Sequence, residues 1–116
     1  MIRKRIIAGD TFPIIYKHKP NGELEDLPDG YDYMIGLRQE GSQKTMVFSY
    51  QNGDITNPEK GIYRWECKHE LSKTLKDNII VEMVLYSRDA SFVMHCSEPV
   101  TLEVIPSFMN EQLDHE

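Results

Sequence analysis

Apolar and polar residues alternate with a period of two along much of this chain. Tyr31, Tyr33, Ile35 and Leu37 are interleaved with Asp32, Met34, Gly36 and Arg38. Tyr63, Trp65 and Cys67 are interleaved with Arg64, Glu66 and Lys68, and Val100, Leu102 and Val104 with Thr101 and Glu103. Successive side chains of a pleated strand point to opposite faces, so this period predicts strands with one face in a core and the other in water. The same reading predicts strands at 2–8, at 12–19 with Phe12, Ile14 and Tyr16 on one side, and at 45–50 with Met46, Phe48 and Tyr50. The most apolar stretch, 79–87, sends Ile79, Val81, Met83 and Leu85 inward. Its other face, with Ile80, Val84 and Tyr86, is apolar as well, which predicts a central strand or one covered on both sides. Phe92, Met94 and Cys96 follow.

Turn chemistry separates these runs. Asn21-Gly22 and Asn52-Gly53 suit backbone with positive φ, and Pro28-Asp29-Gly30, Glu40-Gly41-Ser42 and the cluster from Asn57 to Gly61 read as loops. Arg88-Asp89-Ala90-Ser91 reads as a hairpin turn. Only 69–78 departs from the pattern: Leu71 and Leu75 stand at i, i+4, which predicts a short helical turn crossing between sheets and covering an open end. From Ser107 on, the chain is polar and has no periodicity, so 107–116 is expected to be a flexible tail or to dock on a neighbour. The sum is an all-β domain at 1–106, a two-sheet antiparallel β-sandwich with one short helical crossover.

With 116 residues the chain has room for one core without metal or disulfide staples. Thirteen Lys and Arg stand against 19 Asp and Glu, a net charge of −6. Such a balance repels a phosphate backbone, so no nucleic-acid partner is expected. No block of like charges marks a lipid-binding patch, and no segment has the length of a transmembrane helix, so no membrane partner is expected either. The basic start Arg3-Lys4-Arg5 is followed by only Ile6-Ile7-Ala8, too short for the apolar region of an export signal.

Candidate chemistry is sparse. His18, His69, His95 and His115 form no close pair of the kind zinc sites use, and His95 and Cys96, as neighbours on a strand, point to opposite faces. Cys67 and Cys96 fall in apolar strand segments and read as two buried thiols. Cys67 with His69 or His95 is the one imaginable nucleophile pair, but an alternating apolar face is the ordinary place of a core cysteine. Glu23, Glu25 and Asp26 read as a solvated acidic loop. There is no Gly-x-Ser-x-Gly elbow and no phosphate loop. No catalytic, cofactor-binding or metal-binding residue is therefore assigned, no cofactor is expected, and the chain is read as a non-enzyme. Tyr16, Tyr50 and Tyr86 would form an interface patch if they clustered outward. Gly9-Asp10-Thr11-Phe12 reads as a turn in which Gly9 bends the chain, Asp10 or Thr11 bonds to nearby backbone, and Phe12 anchors the next strand.

Two resemblances add to this. Glu59-Lys60-Gly61-Ile62-Tyr63-Arg64-Trp65 is similar to the acidic-x-Gly-x-Tyr-x-Cys corner of immunoglobulin-like domains, with Trp65 where the cysteine would stand. There the tyrosine hydroxyl ties a strand start to its incoming loop. Five stretches spanning 1–105 then resemble the N-terminal domain of siphophage baseplate upper proteins and related tail or head-fibre proteins. They are Gly9-Asp10-Thr11-Phe12, Leu27-Pro28 before the strand from Tyr31, Asn52-Gly53-Asp54-Ile55, Gly61-x-Tyr63-x-Trp65, and the Leu71 to Leu75 connection into the strand from Ile79, closed by Pro99-Val100-x-Leu102-x-Val104. This resemblance implies an all-β, immunoglobulin-like, two-sheet antiparallel β-sandwich. It also implies a phage or prophage virion structural protein of the tail, baseplate or head, assembled in the bacterial cytoplasm. Its partners would be other virion proteins or a homo-oligomer, and its function protein–protein interaction. The alternative is a ligand- or sugar-binding β-sandwich module of a bacterial surface system.

Overall fold

Trp65, Tyr63 and Cys67 point from one sheet toward Tyr33, Ile35 and Leu37 of another, and the core lies between them. The computed structural model of the chain describes residues 2–96 and 98–113. Met1, Ser97 and 114–116, with His115, lie outside the described residues. The larger, six-stranded sheet has the order β1 (Ile2–Ile7), β9 (Val100–Ile105), β7 (Asn78–Ser87), β3 (Tyr31–Gln39), β4 (Met46–Ser49), with β8 (Val93–His95) pairing β7 beyond the end of β9. The smaller sheet is β2 (Phe12–Lys17), β6 (Ile62–Cys67), β5 (Thr56–Glu59). The chain is thus an all-β two-sheet sandwich.

β7 is the central strand expected from its two apolar faces. It is flanked by β3 along its whole length and by β9 and then β8 on the other side. Ile79, Val81 and Leu85 are buried in the core, while Ile80, Val84 and Tyr86 are half-covered on the outer face. α1 (His69–Ser72) and the turn after it carry the chain from β6 to β7, and Leu75 is buried over the sandwich end, as its spacing with Leu71 predicts.

Three expectations change. The sheet is mixed, because β1 runs parallel to β9. A strand that leaves by a turn into the opposite sheet has no hairpin partner to set its direction, so side-by-side pairing with the last strand decides it. Second, the first part of the cluster from Asn57 to Gly61, expected as loop, falls in β5, an edge strand with a register shift. Its Asn57 amide donates to the Glu59 and Ile62 carbonyls, and Lys60-Gly61 makes a tight turn into β6. Pro58 is tolerated there as edge strands tolerate proline. Third, the stretch after β9 contains α2 (Asn110–Leu113), and the Asn110 side chain donates to the Ala8 carbonyl at 2.7 Å.

Candidate functional site

β2 is an edge strand. Its register with β6 continues to His18, whose N–H donates to the Gly61 carbonyl at 2.8 Å. Backbone groups of an antiparallel strand alternate in direction, so Phe12, Ile14 and Tyr16 share that phase toward β6, and Pro13, Ile15 and Lys17 direct theirs to the unpaired side. Pro13, which has no N–H, loses nothing at such a position.

Along this unpaired side the sandwich gapes. One depression of about 280 Å³ lies between β2 and the larger sheet, with Phe12 and Ile14 facing Ile6, Met83 and Leu102. A second, of about 560 Å³, lies farther along β2, from Tyr16 to its end, where Leu85, Phe92 and Met94 form its far wall. Phe92, Val93 and Met94 are all exposed, and β8, which carries the latter two, is also unpaired on its outer side among the described residues. The floor is thus apolar, between two strand edges.

The rim is basic. Lys4 and Arg5 line the first depression, Lys17, His18 and Lys19 the second, and among the described residues no carboxylate lines either. Arg5 reaches Glu103 at 3.3 Å, a solvent-exposed pair worth little. Lys4, Lys17 and Lys19 have no carboxylate within 4.0 Å among the described residues. A chain of net charge −6 thereby keeps a cationic strip along one apolar cleft. Neither the period-two pattern nor the overall charge signals this, because β1 and β2 meet only across the two sheets.

Below the cleft sits an aromatic ladder. Tyr16 stacks on Tyr33 with centroids 4.9 Å apart, Tyr33 tilts against Tyr63, and Tyr50 meets Tyr63 edge-on at 5.2 Å. The Tyr16 hydroxyl lies 3.0 Å from His18 Nδ1. Tyr33 is fully buried and its hydroxyl has no partner among the described residues. Burial, with Cys96 and Tyr16 nearby, pushes that phenol far above its ordinary range. Tyr16 is raised too, by the same desolvation. Tyr86 lies apart, on the outer face, where it donates to Asp32. The tyrosines Tyr16, Tyr50 and Tyr86 therefore form no common patch: two end the internal ladder and the third faces the opposite side.

The remaining candidates disperse. Cys67 is 0% exposed and Cys96 is half-buried, and both are free thiols. Desolvation pushes each up to about 11. His69 Nδ1 bonds to the Gly9 carbonyl at 2.8 Å, and His95 is exposed on β8. Among the described residues no three His, Cys, Asp or Glu side chains gather as metal ligands. Asp26 of the acidic loop is exposed but not idle, for its carboxylate accepts the Gly61 N–H at 2.7 Å. Gly9 does bend the chain, with φ +97°, and Phe12 packs edge-on against Trp65. The turn is gripped by Ser72 and His69 of α1, with no bond from the Asp10 or Thr11 side chain among the described residues. No described helix is long and apolar enough to cross a membrane.

No protein-family model matches the chain, and no curated protein is significantly similar to it.

Proposed function

We propose that this chain is a non-enzymatic structural module of a phage or prophage particle, of the tail, baseplate or head, that works by protein–protein assembly. The observation that carries the assembly part is the unpaired β2 edge above an apolar, cation-rimmed cleft. Open sheet edges and contiguous apolar surface are what association covers. The virion part rests on the sequence resemblance, and the two-sheet sandwich agrees with it. The thiols support a binding role over catalysis: at about 11, neither supplies a thiolate at neutral pH.

Light scattering on a sizing column, together with co-expression with neighbouring virion proteins, tests this. A discrete oligomer or a stable hetero-complex is the expected result. A monomer that binds no such neighbour overturns it. A second reading, a ligand- or sugar-binding module of a bacterial surface system, is favoured by one feature: the larger depression, about 560 Å³, falls in the range of small-molecule sites. Sugar binding also wants an exposed aromatic platform; the depression offers exposed Phe92 tilted against Tyr31, while Tyr33, Tyr63 and Trp65 are buried. A glycan array without hits removes the carbohydrate form of that reading.

A further inference from the structure

We propose that the cleft along β2 receives the C-terminal segment, residues 107–116, of a second copy of this chain. The inference rests on the assembly reading and names its partner.

The segment has the chemistry that the cleft lacks. It carries Glu111, Asp114 and Glu116 and no lysine or arginine, whereas among the described residues the cleft is lined by Lys4, Lys17 and Lys19, with Arg5 held to Glu103, and by no carboxylate. It also displays exposed apolar side chains. Phe108 is 85% exposed, more than any other large hydrophobic residue described, and Met109 and Leu113 are more than half exposed. Met109 and Leu113 stand four apart across α2, on one side of that turn, which gives the segment an apolar face beside its carboxylates.

The described part of the segment, 107–113, does not line the cleft of its own chain. Asn110 pins it to Ala8 beside the β1–β2 turn. It is presented next to one cleft and fits another. Pro13 decides how it enters. With no N–H at that position, the free edge of β2 offers an incoming strand only the groups of Ile15 and Lys17 beyond the Pro13 carbonyl. The contact is therefore insertion of apolar side chains between the sheets, with carboxylates on the lysine rim, and not the addition of a strand. Every copy carries both halves, so the contact closes as a dimer by mutual exchange or repeats head to tail as a ring or an open filament.

The test uses the full chain and measures mass against concentration. Phe108→Ser with Leu113→Ser changes only exposed positions, so the fold, checked by circular dichroism and melting, is expected to survive. The wild type should self-associate, more weakly as salt rises. The Ser variant should associate more weakly by about tenfold or more. Lys17→Glu with Lys19→Glu should weaken association similarly, and Glu111→Lys added to that pair should restore part of it. If the wild type associates and the Ser variant does so equally, this inference falls while the assembly reading stands. If the wild type stays monomeric at the highest attainable concentration, this inference falls as well, and complex formation with neighbouring virion proteins then decides the assembly reading by itself.

Discussion

The phenolic oxygen of Tyr63 accepts the backbone N–H of Leu27 at 2.7 Å, across 36 positions of sequence. The bond fastens the long β2–β3 loop to the smaller sheet, not the loop that enters β6. In the corner motif that Gly61-x-Tyr63 resembles, the hydroxyl holds the incoming loop; here that connection is a tight turn, and the hydroxyl is left for the loop packed over it. Asp26 makes the same join from the other side by accepting the Gly61 N–H.

Tyr63→Phe removes this acceptor and keeps the ring. The Leu27 amide is half-buried, so its loss of a partner should cost about 1 kcal/mol in denaturant unfolding. Amide exchange at Leu27 should speed up more than exchange in β7. An unchanged Leu27 amide would show that the bond holds nothing.

Asp32 is 2% exposed, yet its carboxylate accepts the N–H groups of Tyr33 and Gln51 and the Tyr86 hydroxyl. Asp32→Ala leaves these donors without their acceptor and should destabilise the fold by about 3 kcal/mol. Asp32→Asn keeps an acceptor oxygen and should cost less. Equal losses in the two variants would mean that packing, not hydrogen bonding, fixes this position.

Gly9→Ala should be costly for two reasons. The residue has φ +97°, and an added Cβ would run into the side chain of Asn110. A loss of about 1–3 kcal/mol is expected in thermal or denaturant unfolding. Gly22→Ala also lies at positive φ, at +84°, but meets no atom within 4 Å, so it isolates the backbone part of the effect.

The thiols make a pH prediction. In the fold both sit at about 11, against an ordinary value of 9.0. As pH rises past about 9 the unfolded chain gives up these protons first, so the folded state binds more protons and stability falls until about pH 11. The decline should shrink in Cys67→Ser or Cys96→Ser. At neutral pH, a thiol-reactive dye should label Cys67 only on unfolding. Rapid labelling of Cys67 in the native protein would revive a reactive role.

Strands with one buried face were legible because their signal is local: Tyr33, Ile35 and Leu37, or Tyr63, Trp65 and Cys67, declare a face by spacing alone. β5 was not, since Thr56-Asn57-Pro58-Glu59 has no apolar alternation and is held by side-chain and edge contacts. Asp32 was assigned to a solvent face by the same spacing rule, correctly as to side. Its burial comes from Tyr86 and the turn at Gln51, which lie elsewhere in the chain.

The sequence by itself determined the all-β class, the main strands and the helical crossover, because hydrophobic period and turn residues act on neighbours a few positions away. Only the tertiary structure decided that β1 runs parallel to β9, that β2 is left as an unpaired edge, and that Lys4, Arg5, Lys17 and Lys19 rim one apolar cleft. These depend on which strands lie beside or across from one another, a choice made by the packing of two sheets and written in no single segment.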